Sequence, residues 1–528
     1  MGLNVYERGL GSINGKPSFT IEQASVAITN TGGLSWSSAL GQGTSVNYAY
    51  SATAPAGAPS GGMGYSRFTE AQIATTEQAL RAWSDVADIT FVRIGAGTIG
   101  DAAYSNNAAM LFSNFSDPNS FNGSGAYPGS RYPTATAGNV WINQGYVGFK
   151  PPPSETLVHE IGHAIGLSHP SSYNGTPGVV LTYEAAAEHY EDSYQYSIMS
   201  YFPETKTGAS WGGAWAAAPM LDDIAAAQRL YGPNLNTLTG DTVYGFNSNT
   251  DRAWYTATSP GAQLTFAAWD AGGADTFDFS GYGNNQLIDL RAGCFSNVGG
   301  LVGNVAIAQG TVIENARSGA GSDLIHGNAA GNAIFGGAGG DTIDGGTGGS
   351  NYLRGDEGDD SVVGGVDFDD INGNMGNDTA SGGLGADWVV GGKDSDLLNG
   401  DDGADIVYGN LGDDTCSGDA GDDIVRGGQQ NDVLRGGDGN DWLSGDRDND
   451  TISGGAGADI FHTFAEAGVD RVLDFSRAEG DRVQLDPGNA FTTEQVGANV
   501  VITVSGQAQM ILVGAQLSSL TGDWIFNG

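Results

Sequence analysis

Two apolar periodicities divide the chain. Between about residues 69 and 235 the spacing is that of ordinary helices and strands. Thr69-Glu70-Ala71-Gln72 reads as a capping box, and Ile73, Leu80 and Trp83 continue a helical stripe to about Val86. Residues 89–94, 108–115 and 140–143 read as strands, and 221–230 as a helix stopped by Tyr231-Gly232-Pro233. The predicted layout is a mixed sheet with two long helices, the second beginning after Pro151, Pro152 and Pro153, with Ser154 as its N-cap.

From 323 to 459 the period is nine, in the form GGxGxDxUx with U a large apolar residue. The aspartates are Asp323, Asp341, Asp360, Asp369, Asp378, Asp387, Asp396, Asp405, Asp414, Asp423, Asp432, Asp441, Asp450 and Asp459, with Asn332 and Asn351 in two further positions. Two residues after each comes an apolar position, from Ile325 to Phe461, and Cys416 fills one of them. A six-residue glycine turn and a three-residue strand make one unit, so two units complete one coil of a parallel β-roll. Each Asp then offers a carboxylate to a cation between turns, and the U residues fill a thin core. About eight coils at ~4.8 Å give a rod of roughly 40 Å. Asp367, Asp394, Gln430 and Asp448 replace one turn glycine, and Asp356, Asp401, Asp419 and Asp446 another. Asp tolerates left-handed backbone better than most residues, so these changes weaken single sites and leave the roll intact. Without a cation the carboxylates repel one another and the segment is expected to be unfolded.

The chemistry is concentrated at residues 159–170, HEIGHAIGLSHP. His159 and His163 lie four apart on one helix face, and Gly166 lets the chain turn so that His169 joins them. Three imidazoles leave a tetrahedral zinc one open position, the catalytic arrangement. Glu160, beside the first ligand, is placed to take a proton from the attacking water. Half of the chain's 6 histidines lie in this segment.

Composition narrows the partners. The 528 residues carry a formal charge of −41, much of it between about 320 and 460. A phosphate backbone would be repelled, so nucleic acid is not expected as a partner. No run is long and apolar enough for a membrane span. The start, MGLNVYERGLGSINGKP, lacks a basic stretch followed by an apolar one, so a cleavable secretory signal is not expected. Cys294 and Cys416 read as two buried thiols.

Several stretches carry a family resemblance: FTEAQIATTEQALRAWSDVADITF, HEIGHAIGLSHP, YEDSYQYSIMSYF, APMLDDIAAAQRLYGPN, GDTVYGFNSNTD, WDAGGADTFDFSGY and VDRVLDFSRAEGDRVQL. With the nine-residue repeat, they resemble the serralysins, secreted metzincin proteases with a C-terminal RTX calcium roll. The resemblance implies an α+β metzincin catalytic domain over 1–235, a junction over 236–322, an all-β parallel β-roll over 323–463, and a cap with a type I secretion signal over 464–528. It implies a calcium-dependent zinc endopeptidase with Glu160 as general base. Met199 would form the turn beneath the zinc, and Tyr201 would ligate zinc at rest and hydrogen-bond the oxyanion during reaction.

Further calcium sites are implied at Gly240, Thr242, Asp270, Gly272 and Asp275, and at Gly273, Asp275, Val312 and Glu314. Leu238 and Val312 depart from the family's usual residues there. The roll is longer than is usual in the family. Implied partners are peptide or protein substrates and the type I export apparatus, with room for a proteinaceous inhibitor; the implied location is extracellular, with retention at the cell surface left open. The strand at 108–115 is expected to bind extended substrate along a free edge.

Two other functions compete. A calcium-binding surface protein would need only the roll, and the zinc motif argues against it. A serine hydrolase could be read from GASWG at 208–212, but the polar lead-in Pro203-Glu204-Thr205-Lys206-Thr207 is not the strand that a nucleophile elbow requires. His189, His326 and His462 read as surface residues, and Trp269 and Trp442 as packing residues.

Overall fold

A computed structural model describes residues 4–30, 35–55, 58, 64–116, 126–127, 138–143, 154–173, 180–505 and 507–528. The chain forms two compact units, one of residues 1–275 with 292–313, the other of 276–291 with 314–528.

In the first unit a five-stranded sheet runs in the order Ile89–Arg93, Thr44–Tyr50, Met110–Phe115, Val140–Asn143, Ala126–Tyr127. All neighbours are parallel except the last pair. The Glu70–Val86 helix starts with the capping box read from sequence, Thr69 and Gln72 satisfying each other's backbone N–H. Leu80 and Trp83 pack in one core with Tyr50, Phe112, Leu157 and Ile161. The Trp83 indole donates to the Val158 carbonyl at 2.9 Å, fixing this helix to the next, Ser154–Ala164. Helix Leu221–Tyr231 ends where Gly232 turns at φ 80°.

Three expectations need correction here. Met110–Phe115 pairs on both sides, with Thr44–Tyr50 and Val140–Asn143, so its backbone offers no free edge to a substrate. Ser154 is the first helical residue rather than the cap; residues 151–153 lie outside the described residues. His189 is buried at 1% exposure, its ring stacked 4.3 Å from Phe19 and its Nδ1 3.3 Å from Glu191. His462 is also largely covered, stacked on Trp442 and paired with Asp486, and His326 is half-buried. Trp269 is buried, as packing predicts, and both cysteines are buried.

The second unit is the parallel roll. Successive nine-residue units feed alternate sheets, so each strand pairs with the one about eighteen residues later: Val389↔Val407↔Val425↔Leu443 in one sheet, Leu398↔Cys416↔Leu434↔Ile452 in the other. These inward residues are almost wholly buried. The ladder starts before the repeat, at Thr276–Asp278 and Leu287–Asp289, and runs on through Val469–Val472 and Arg482–Leu485. An antiparallel meander, Phe491–Val496, Asn499–Val504 and Ala508–Leu512, then terminates one sheet, and Ile525–Asn527 terminates the other.

Seven of the eight glycine replacements sit at φ between 70° and 82°; Asp367 is the exception. The turns are crowded enough to forbid a side chain elsewhere. A Cβ on Gly421, where φ is +149°, would lie 1.3 Å from the Gly403 carbonyl oxygen, whereas Gly488 at φ +87° has open space. In calcium-saturated denaturation, Gly488→Ala should cost only the left-handed penalty of about 1–2 kcal/mol. Gly421→Ala should cost clearly more, because a backbone oxygen cannot swing aside; equal losses would contradict this packing.

Candidate metal centre

His159 and His163 project from the Ser154–Ala164 helix, and the chain leaves it through Gly166 at φ 109°. The exit is tied down by Leu167 N–H donating to the Gly162 carbonyl at 2.9 Å and Ser168 N–H to the Ile28 carbonyl at 2.7 Å. The ligating atoms of His159, His163 and His169 all lie within 4.8 Å of one another.

Backbone carbonyls set the ring orientations. Nδ1 of His159 meets Ile198 O at 2.8 Å, Nδ1 of His163 meets Leu167 O at 2.9 Å, and Nδ1 of His169 meets Tyr173 O at 2.9 Å. A carbonyl only accepts, so each Nδ1 carries the proton and each Nε2 presents a lone pair. Nε2 of His163 and Nε2 of His169 nevertheless face each other at 3.2 Å. Two lone pairs at that distance fit a shared cation, and burial lowers the His159 pKa, favouring the neutral ligand form. Glu160 is 2% exposed, and its Oε2 has no hydrogen-bond partner among the described residues. Burial alone pushes its carboxyl up to about 8.

Beneath the helix lies Met199, fully buried. A Cβ on Gly162 would come within 2.5 Å of the Met199 sulfur and 3.0 Å of the Trp83 ring. Tyr201, half-buried, sits with its ring centroid 5.9 Å from that of His159 and 4.3 Å from that of His169. Burial, then the charge of Glu160, raises its pKa above the ordinary phenol value, so the hydroxyl remains a donor.

Sequence reasoning missed two carboxylates that position this site. Asp223 accepts from Ser197 Oγ at 2.6 Å, Ile198 N at 2.7 Å and Met220 N at 2.9 Å, and so holds the turn that carries Met199. Asp192 accepts from Ser171 Oγ at 2.6 Å, Tyr173 OH at 2.9 Å and Ser200 Oγ at 2.7 Å, bridging the segment after His169 to that turn. Both lie inside quoted family stretches, but nothing in their spacing marks them as buried anchors.

In the roll, the N–H of each repeat aspartate donates to Oδ1 of the aspartate one coil on, as in Asp387 to Asp405 at 2.7 Å and Asp405 to Asp423 at 2.8 Å. Among the described residues, the other oxygen, Oδ2, is buried without a hydrogen-bond partner in every repeat aspartate from Asp341 to Asp459. Asp323 differs, since Gln286 N–H and Gly319 N–H take both of its oxygens. A Cβ on Gly400 would meet Asp405 Oδ2 at 2.5 Å and the Gly418 carbonyl oxygen at 2.8 Å. Glycine thus keeps open a gap lined by acceptors alone, which fits a hard cation.

In the first unit, Thr242 N–H donates to Asp275 Oδ1 at 2.8 Å and its hydroxyl to the Gly240 carbonyl at 2.9 Å. Gly272 N–H donates to Asp270 Oδ1 at 2.9 Å. A Cβ on Gly273 would meet Gly240 O at 2.5 Å, so these five residues and Gly273 form one cluster. Glu314 lies in the other unit, its carbonyl accepting from Asn332 Nδ2 at 2.9 Å, and Val312 is exposed. Ser210 of the GASWG segment follows a 3-10 turn, Glu204–Thr207, and bridges to Val302, so no strand leads into it.

A family model described as Peptidase M10 serralysin C terminal matches residues 233–523. The chain belongs to the serralysin family. Serralysin C of Dickeya chrysanthemi is 46% identical over 337 residues, covering 61% of this chain and 67% of that protein. Serralysin A of the same organism is 46% identical over 333 residues, with the same coverage. Metalloprotease AprA of Pseudomonas entomophila is 44% identical over 340 residues, covering 62% and 68%. As a serralysin, the chain is a zinc metalloendopeptidase with an α+β unit and a parallel β-roll, and the serine-hydrolase reading falls away.

The Met199 contact gives a test of the helix floor. Ala at 162 gains about 1 kcal/mol of helix propensity, but overpacking costs about 1–3 kcal/mol. Gly162→Ala should therefore lower the melting temperature; a rise would show that the Met199 side chain moves aside freely.

Proposed function

We propose that this serralysin is a secreted endopeptidase that cleaves peptide bonds with zinc on His159, His163 and His169 and that needs calcium in its roll. The observation that carries the zinc assignment is the convergence of three carbonyl-oriented imidazoles, two of them with Nε2 atoms 3.2 Å apart. When bound, zinc supplies Lewis acidity toward a water molecule and the scissile carbonyl.

The chain's own groups do the rest. Glu160, held without a hydrogen-bond partner on Oε2, takes the proton of the attacking water and returns it to the leaving amine. Its raised proton affinity in the buried site suits both halves of that transfer. Tyr201, kept protonated by its surroundings, donates a hydrogen bond to the developing oxyanion. Asp192 and Asp223 hold the loops that carry Tyr173, Ile198 and Met199. In casein cleavage, Glu160→Gln should lose about 10²–10⁴-fold in kcat, the range typical of a lost proton carrier, while zinc content stays at one per chain. Retained activity in that variant would sink the mechanism.

Calcium dependence rests on the orphaned Oδ2 atoms. Burial first, and the neighbouring aspartates in addition, push Asp341, Asp396 and Asp432 up to about 8, and Asp378, Asp405 and Asp441 up to about 7. A carboxyl whose folded pKa exceeds its unfolded value near 3.9 binds protons on folding. The metal-free roll therefore loses stability as pH rises from about 4 through 8. This supports export as an unfolded chain through a calcium-poor, neutral cytosol by a type I apparatus, with folding outside the cell.

In chelator, the β-sheet circular dichroism should be stronger at pH 5 than at pH 8. Added calcium should restore it at pH 8, with the calcium midpoint moving to higher concentration as pH falls. A metal-free roll equally folded at both pH values would overturn the assignment.

A further inference from the structure

Two pairs of consecutive buried carboxylates flank the metal centre, and each pair divides its work in the same way. In the first pair, Asp223 holds the Ile198 N–H, and the Ile198 carbonyl in turn orients His159. Its neighbour Asp222 receives the Arg8 guanidinium in a two-pronged contact, NH1 to Oδ1 at 2.7 Å and NH2 to Oδ2 at 2.9 Å. Both side chains are buried, at 1% and 2% exposure. Arg8 also lies over the Tyr196 ring at 5.0 Å, and the Asp222 N–H donates to the Tyr196 carbonyl at 2.9 Å. Tyr196 directly precedes the turn of Ser197, Ile198 and Met199.

In the second pair, Asp192 holds Tyr173, whose carbonyl orients His169. Its neighbour Glu191 receives Ser18 Oγ at 2.5 Å and Phe19 N–H at 2.9 Å. One short segment, residues 8–19, therefore supplies donors to one member of each pair, Glu191 also meeting His189 Nδ1 at 3.3 Å.

We propose that Arg8, with Ser18 and Phe19, is a clamp that positions the metal centre, so that docking of residues 8–19 sets the orientation of His159 and His169. Neighbouring residues share one backbone, and a bidentate buried contact fixes that backbone in rotation as well as position. Without Arg8, Asp222 would be a buried charge lacking its main partner, and the start of the Leu221–Tyr231 helix would have to shift to reach solvent. Asp223, one residue on, would carry that shift to Ile198 and so to His159. The Ile198 and Tyr173 carbonyls at the end of these chains touch the ligand rings directly, and contacts of that kind typically tune metal affinity by about 10–100-fold. The inference rests on the zinc reading above and adds to it a role for a segment far from the motif in sequence.

The test compares two buried Arg–Asp pairs in the full-length protein. Arg252 makes a similar two-pronged contact with Asp85, at 2.6 and 2.8 Å, but touches neither carboxylate pair. Zinc affinity is measured by chelator competition, and kcat and KM on a peptide substrate, for Arg8→Ala, Arg8→Lys and Arg252→Ala.

Arg8→Ala should weaken zinc at least about tenfold and lower kcat with KM little changed. Arg8→Lys, which keeps the charge but loses the fork, should fall between it and wild type. Arg252→Ala should leave zinc affinity within about twofold even where its melting temperature drops as far. If Arg8→Ala does not fold, Arg8→Lys and Ser18→Ala carry the same comparison. Unchanged zinc affinity in the Arg8 variants, or equal weakening in Arg252→Ala, overturns the clamp. A wild-type chain that binds no zinc would instead overturn the zinc reading itself.

Discussion

The constraint on which both units depend is that acceptor atoms are buried facing other acceptors. Hydrogen bonding cannot satisfy such an arrangement, because each group offers a lone pair and none offers a proton. At the histidine cluster, carbonyls consume every Nδ1 proton and turn the Nε2 atoms inward. In the roll, each aspartate spends Oδ1 on the backbone N–H of the coil before it and leaves Oδ2 in a gap lined with carbonyl oxygens. An uncompensated buried acceptor costs on the order of 1–3 kcal/mol, and a buried charge more. Repeated over a dozen coils and half-coils, that cost exceeds the stability of an ordinary domain. On the calcium reading proposed above, a cation at each gap offsets that cost.

Much of this was legible in the sequence because the features are periodic. A ligand set at spacings of four and six needs only one helix and one turn. The nine-residue repeat names its own strands, turns and core, down to the buried Cys416. Even its irregularities could be read, since Asp or Gln replaces glycine where the backbone is left-handed at seven of eight positions. The capping box at Thr69 was readable for the same local reason.

What could not be read depends on contacts between distant segments. His189 resembles a surface histidine until Phe19 stacks on it. Met110–Phe115 resembles an edge strand until Val140–Asn143 pairs with it. Asp192, Asp223 and Arg8 carry little local signature, because most of their partners lie between 8 and 214 residues away. The roll also continues past its sequence repeat, since Asp470 and Asp481 keep the same backbone contacts after the spacing has lengthened.

The two kinds of buried carboxylate explain why the metals play different parts. Asp192 and Asp223 each accept three hydrogen bonds, so the loops around the histidines are held by donors that the chain itself supplies. The loops that orient the histidine rings are thus held by the chain's own donors, with each Nδ1 on a backbone carbonyl. The repeat aspartates have one oxygen satisfied and one not, and their partner in the next coil is another aspartate. For them, under the calcium reading proposed above, organisation and cation binding are a single event. A chain built this way can make its enzyme geometry robust while leaving the long repeat conditional on the medium. The acidic repeat holds most of the excess negative charge, so under the proposed reading the carboxylates that repel one another without calcium are the same ones that would bind it and close the roll.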